Sequence, residues 1–317
     1  MIRLRFPWQL ARDGILGINR RNSRYISRYN PRRLFPLVDN KLKTKIIAQQ
    51  AGINTPSLIG TIAHQYDVRR IGELVADYNG FAIKPAKGSG GKGILVITDK
   101  DTQRFYKSSG AAVSPDDIQR HVSNILSGLY SLGGSPDTVI IEELIHFDPS
   151  FAHFTVEGVP DIRVIVCRGY PVMAMMRLST HASDGKANLH QGAVGVGLDI
   201  ATGKALNAVQ NGEVITHHPD TGQLLSELVV PNWSDLLVIA ASCYDVTQLG
   251  YLGIDIVLDR YKGPMLLELN ARPGLGIQVA NGAGLRPRLT KIDNLTAAEL
   301  ALGPEERSAL SRTWFGA

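Results

Sequence analysis

The sequence predicts an α+β chain of about two domains, on three observations. Its 317 residues suit two domains of ordinary size. Two pairs of apolar, β-branched runs meet at tight turns near residues 170 and 262, the signature of antiparallel hairpins. Single amphipathic runs with helical spacing stand between the strands, each with its own start and stop signals.

Composition narrows the class. A hydrophobic fraction of 44% and a charged fraction of 20% are those of a soluble globular protein. No stretch approaches the roughly 18 uninterrupted apolar residues of a membrane span. Cys167 and Cys243 sit in apolar surroundings without metal-type spacing, and read as reduced core residues of a cytoplasmic protein. The eight histidines form no zinc pattern. Residues 1–45 hold twelve Lys and Arg against Asp13 and Asp39, a net +10 that leaves −5 for the rest of a +5 chain. Such a segment is a face for an anionic partner (acidic peptide, nucleic acid or anionic lipid), or else a solvated, dimer-forming or packing face. Its acid-poor, Arg-rich start imitates a transit peptide but lacks the apolar core of a signal peptide.

Taken in order, aromatics and leucines among the arginines of residues 1–35 predict short helices laid on other structure. A helix runs over 40–52, capped by Asp39 or Asn40 and ended by Gly52. A strand follows at Leu58–Ile62 and a helix at Val68–Tyr78. Phe81 to Ile97 then reads as strand, glycine loop, strand. Residues 99–110 are polar and loop-like with a helical start. Ser114-Pro115-Asp116-Asp117 opens a helix whose apolar face is Ile118, Val122, Ile125, Leu126, Leu129 and Tyr130. Thr138–Ile145 is a buried strand carrying Glu142 and Glu143. Hairpins follow at 161–177 and 253–270, with a mobile loop over 182–195 and a helix from Asn232 to Leu249 ended by Gly250. The last helix starts at Thr296 with Glu299 completing a capping box.

Three places carry chemistry. Gly88, Gly90, Gly91 and Gly93 fall within six residues and let the backbone turn its N–H groups onto a bulky anion, with Lys84, Lys87 and Lys92 adding charge. The apolar run after Gly93 excludes the dinucleotide fingerprint, which would open a helix there. An ordinary glycine hairpin with solvated lysines is the plain alternative. In the first hairpin, a centre near residue 170 sets Arg163 opposite Arg177. Like charges across a ladder are destabilising unless an anion sits between them, so either a phosphate or carboxylate clamp or two solvated arginines is implied. In the second, Glu268 and Asn270 project from one face and Asp255 lies within diagonal reach. Oxygen-only ligands of this kind suit Mg²⁺, and a structural polar cluster is the alternative.

Together these residues resemble ATP-grasp enzymes, most of all the RimK-type alpha-L-glutamate ligases, over about residues 36–283. The matching pieces are Asn40-Lys41-Leu42 with Ala51-Gly52-Ile53, Ile83-Lys84 with the Gly88–Gly93 loop, Glu142-Glu143-Leu144-Ile145 and Asp161-Ile162-Arg163. Arg177, Asn188-Leu189-His190 with Gly192, Gly253-Ile254-Asp255, and Glu268-Leu269-Asn270 with Pro273-Gly274 complete the set. The shortened front is also similar to ATP-grasp proteins grouped with sugar-transfer genes.

The resemblance implies an ATP-grasp fold of two α+β subdomains clasping ATP. Residues 1–38 would be a basic segment, 39–145 the subdomain with the phosphate loop, 146–290 the subdomain with the metal site, and 291–317 a helical tail. It implies that Lys41, Lys84, Lys87, Gly88, Ser89, Gly90, Gly91, Lys92 and Gly93 hold ATP phosphates, and that Glu142, Glu143 and Leu144 lie at the adenine hinge. Asp161, Lys186, Asn188 and His190 would also contact nucleotide. Asp255, Glu268 and Asn270 would bind Mg²⁺ (two ions, with Mn²⁺ as a substitute), and Arg163, Arg177 and Arg272 would be catalytic. The implied activity is an ATP-dependent carboxylate–amine ligase working through an acyl phosphate on a carboxylate and an amine such as glutamate or a peptide, in a monomer or homo-oligomer. The alternatives are a nucleotide-binding protein or phosphotransferase in a sugar or polymer pathway, and a docking protein that uses its basic N-terminus.

Overall fold

The computed structural model describes residues 7–88 and 90–317. They form two units: a smaller one of Asp39–Ile46 and Thr55–His146, and a larger one of the residues up to Val38, Ile47–Asn54 and Phe147–Ala317.

In the smaller unit the strands are β1 (Leu58–Ile62), β2 (Phe81–Pro85), β3 (Leu95–Ile97), β4 (Asp99–Lys100), β5 (Phe105–Tyr106), β6 (Ala112–Val113) and β7 (Val139–Glu143). The main sheet has the order β1-β7-β2-β3, antiparallel throughout. Side chains alternate along a strand, so Phe81, Ile83, Val139 and Ile141 share one face. They bury against Ile118, Val122 and Ile125 of the helix Pro115–Leu126. Lys84 and Glu142 fall on the opposite face. The helix starts as its sequence predicts: Ser114 Oγ accepts from the Asp117 amide at 3.1 Å, and Asp117 returns the bond to the Ser114 amide at 3.2 Å.

Two expectations here are corrected. The helix predicted over Val68–Tyr78 is a 3₁₀ turn, Gln65–Arg70, followed by a single α turn, Ile71–Leu74. Gly72 and β-branched Val68 and Val75 weaken a longer helix. The polar stretch after Asp99 is a small sheet, β4-β5-β6, because Phe105 packs edge-on against Phe81 at 5.8 Å and Val113 joins the same core.

The larger unit is built on seven antiparallel strands: β8 (Asp161–Cys167), β9 (Tyr170–Leu178), β10 (Val194–Leu198), β11 (Ala205–Gln210), β12 (Glu213–Val214), β13 (Tyr251–Asp259) and β14 (Gly263–Asn270). Their order is β12-β11-β10-β9-β8-β13-β14. The helices Trp233–Thr247 and Pro304–Phe315 pack against each other and against this sheet. The first of them ends on Gln248, in the left-handed region at φ 57°, two residues before the predicted stop at Gly250. Thr296 and Glu299 form the predicted capping box, but on the one-turn helix Ala297–Leu300; the last helix is Pro304–Phe315. Cys167 and Cys243 are free and buried, and burial pushes both thiols up.

The basic segment is structural in part. A helix covers Pro7–Arg12, and a continuous helical run spans 18–29, with a wider π stretch at Arg21–Ile26. Leu16, Tyr25 and Ile26 bury into the core of the larger unit. Among the described residues no helix is long and apolar enough to cross a membrane.

Candidate functional site

The glycine loop leaves β2 at Pro85 and returns as β3, the strand-to-strand path its sequence predicts. Gly90, Gly91 and Gly93 have φ of 63°, 75° and 76°, a region that side chains disfavour, so the turn depends on these glycines. Its two ends are tied down by residues outside the predicted site. Buried Asp137 accepts from the Lys87 amide at 3.0 Å, from Ser131 Oγ at 2.7 Å and from the Thr138 amide at 2.7 Å. At the other end His121 Nε2 meets the Gly93 carbonyl at 3.0 Å, and Tyr130 fills the space a Gly93 side chain would need. Ser89 lies outside the described residues. Lys87 Nζ donates to the Pro136 carbonyl at 2.8 Å, and Lys92 is exposed.

Beside the loop, Lys41 Nζ donates to the Gly88 carbonyl at 2.6 Å. Glu142 is only 5% exposed and carries two ammonium partners: Lys84 at 2.6 Å and Lys45 at 3.0 Å. Burial works against ionising Glu142, but the two lysines outweigh it and hold the carboxyl below its ordinary value. Glu142 is therefore a buried counter-ion that aims lysines. Glu143, one residue on, is half-buried, and its amide donates to the Ser57 carbonyl at 3.0 Å. Lys45 was missed because it reads as an ordinary helix lysine; its i+4 spacing from Lys41 is the signal that could have found it.

In the larger unit the predicted pairing of Arg163 with Arg177 is wrong. The hairpin turn is a two-residue one, Arg168-Gly169, with φ of 51° and 86° at its centre. A bulge at Ile165/Val166 adds a residue on β9. Arg177 consequently faces Asp161 on β8, while Arg163 faces Met175 on one side and Asp255 of β13 on the other. The charge between the arginines is the protein's own. Arg163 binds Asp255 in a fork through Nε and Nη2, the latter at 2.6 Å; Arg177 forks onto Asp161 at 2.5 Å and reaches Asp255 at 2.8 Å.

This chain of four charges has side chains at most 13% exposed. Burial opposes ionisation of Asp255, yet the two guanidiniums hold it down at about 2. Burial also pushes Asp161, with one guanidinium, up to about 6. Nη1 of both arginines lies outside these pairs.

The second hairpin also carries a bulge, between Asp255 and Ile256. Ile256 pairs with Leu266 and Asp255 with Glu268, so Leu267 is the extra residue. Asp255 and Glu268 thus stand directly opposite, with Asn270 opposite Gly253 on the same face. Among the described residues no three His, Cys, Asp or Glu side chains gather as a metal site. Two opposed carboxylates and an amide oxygen nevertheless fit a hard cation that keeps water and phosphate in its shell. Asn270 Oδ1 also accepts from the Arg272 amide at 2.8 Å, and the Arg272 guanidinium lies 4.9 Å from the Phe35 ring. The loop predicted to be mobile folds as two short turns, His181–Ser183 and Leu189–Gln191. Asn188 Oδ1 caps the second by accepting from the His190 amide at 3.1 Å. Lys186 pairs with Asp184 at 2.9 Å in an exposed bridge, and His190 is exposed.

A family model described as sugar-transfer associated ATP-grasp matches residues 20–294. This chain belongs to that ATP-grasp family. Similar solved structures include the ATP-grasp ligase PsnB complexed with minimal precursor, at 16% identity over 83% of this chain and 61% of PsnB, with a TM-score of 0.45. D-cycloserine synthetase DcsG is 14% identical over 84% of this chain and 74% of its own, at a TM-score of 0.48. D-alanine–D-alanine ligase from Bacillus anthracis, complexed with ATP, is 17% identical over 87% and 68%, at 0.43. No curated protein matches. The ATP-grasp chain thus spans about three fifths of PsnB.

Proposed function

We propose that this ATP-grasp protein is an ATP-dependent carboxylate–amine ligase that forms an amide through an acyl phosphate, with glutamate or a peptide among its candidate substrates. In this reading Lys41, Lys84 and the loop amides of Gly88 to Gly93, with Lys87, Ser89 and Lys92, neutralise the phosphates of ATP. Glu143 and Leu144 border the adenine, Glu142 holds Lys84 and Lys45 in place, and Asp161, Lys186, Asn188 and His190 serve the nucleotide. Asp255, Glu268 and Asn270 would hold Mg²⁺, which when bound supplies charge neutralisation on phosphate oxygens. The substrate carboxylate attacks the γ-phosphate, ADP leaves, and an amine displaces phosphate.

One observation favours ligation over nucleotide binding alone. Arg163 and Arg177 are locked in place by Asp255 and Asp161, yet Nη1 of each remains outside those pairs on the face that carries Glu268. Rigid, desolvated donors of this kind suit an oxyanion that develops during reaction.

The family description also supports a second reading, a nucleotide-dependent phosphotransferase in a sugar pathway. A screen of carboxylates and amines with Mg-ATP separates the two. ADP release that needs both an acid and an amine supports the ligase; phosphate retained on a hydroxyl product supports the transferase.

A further inference from the structure

Residues 7–38 hold seven arginines against Asp13 alone, and the ATP site uses none of them. Some have structural work. Arg21 Nη1 donates to the Pro273 carbonyl at 2.7 Å, and Arg24 pairs with Asp293 at 3.0 Å. The π stretch then sets a pattern. Arg20, Arg24 and Arg28, each four apart along the run and with Arg24 inside its wider part, fall in one row. With Asn19 and Ser23 these three arginines line a shallow open groove.

The groove has apolar neighbours. Trp8 is 66% and Ile18 62% exposed, the first in the helix Pro7–Arg12 and the second opening the helical run. Both helical pieces rest on the helix Arg286–Asp293. Arg286 donates to the Ala11 carbonyl, while Arg24 and Tyr29 bind Asp293 at the other end. That helix has eight residues, so its two ends lie roughly 12 Å apart along the axis. The pieces that carry the tryptophan, the isoleucine and the arginine row are therefore anchored on one side of the larger unit through this short helix.

We propose that this side is a docking surface for an anionic lipid bilayer, with Arg20, Arg24 and Arg28 on the headgroups and Trp8 and Ile18 entering the interface. An indole with an aliphatic side chain beside a polybasic row is the chemistry of interfacial attachment. Nucleic acid would use the arginines and the indole but has no use for an exposed isoleucine. The inference is independent of what the ATP site ligates.

The full chain is sedimented with vesicles of equal phosphatidylcholine and phosphatidylserine, and with phosphatidylcholine alone. Binding to the anionic vesicles that weakens with salt, and little to the neutral ones, is expected. Arg20→Gln/Arg28→Gln spares the Arg24–Asp293 bridge and should weaken binding roughly thirtyfold, since each arginine near such a surface contributes about a fivefold factor. Trp8→Ser/Ile18→Ser should weaken it about tenfold or more at unchanged charge. Equal binding to neutral vesicles, or none to anionic ones, overturns the proposal. So does tighter binding to single-stranded RNA that ignores the Trp8/Ile18 change. Thermal melting of both variants at the parent temperature excludes misfolding as the cause.

Discussion

Asp255→Asn is the substitution whose outcome the structure changes most. By sequence it only removes one ligand charge from a metal. In the fold Asp255 is 4% exposed and, among the described residues, is the only carboxylate paired with Arg163 as well as the second on Arg177. Asparagine keeps the volume but leaves Arg163 charged, 12% exposed and without a carboxylate, while its amide N–H₂ turns toward a guanidinium. Breaking a buried pair from one side costs about 3–5 kcal/mol, and little solvent is present to screen the loss. With a urea slope of about 2.5–3 kcal/mol per molar, the upper part of the usual range and the one a unit of this size calls for, the midpoint should fall by roughly 1–2 M. All three tryptophans, Trp8, Trp233 and Trp314, lie in the larger unit, so their fluorescence reports the relevant transition. Adding Arg163→Met removes the orphaned cation and should restore a substantial part of the loss. An Asp255→Asn midpoint equal to the parent's would refute the ion-pair account and leave Asp255 a metal ligand alone.

Other outcomes follow from the same geometry. Glu268→Gln should lower Mg-dependent turnover about a hundredfold and weaken Mg²⁺ binding in a titration read by calorimetry; unchanged affinity removes Glu268 from the metal set. Asp137→Asn should speed amide exchange across residues 88–93 and cost about 1–3 kcal/mol, because an N–H₂ donor replaces one of the two acceptor oxygens shared by the Lys87 amide, the Thr138 amide and the Ser131 hydroxyl. Glu142 has a folded pKa below its ordinary 4.5, so its contribution to stability is present above that pH and is lost as pH falls below it. Glu142→Gln should flatten that acid limb in a pH series of melting curves.

The sequence reading caught what is local and missed what depends on register. Ser114 with Asp117, the apolar face of Pro115–Leu126, the glycine loop between two strands and both hairpins are set by neighbours within a few residues, and the fold has them. Arg163 and Arg177 were set opposite because a turn centre was counted without its type. A two-residue turn and one bulge move the pairing to Asp161, and neither is visible in an apolar run. Asp137 and Lys45 were invisible for another reason. Their partners, Ser131 and Lys87 for one and Glu142 for the other, are chosen by the packing of β7 beside β2. The glutamates of β7 look alike in sequence; the strand sends them to opposite faces, and Glu142 is the more deeply buried one, between Lys84 and Lys45.

Leu267 holds no charge, yet as the extra residue of the bulge it decides how far apart Asp255 and Glu268 stand along the chain when they face each other. Remove it and the ladder between β13 and β14 can run without interruption, with the turn at 260–262 intact. The glutamate would then follow Leu266 directly and still stand opposite Asp255, with the asparagine opposite Gly253, so the oxygen ligands would keep their face. Straightening the ladder while Leu267 stays is the change that separates them, because it pairs Asp255 with Leu267 and sends Glu268 to the reverse side. For any related chain, spacing and bulge are therefore read together: with this turn, thirteen positions set the aspartate and glutamate face to face only across a bulge, and twelve only without one.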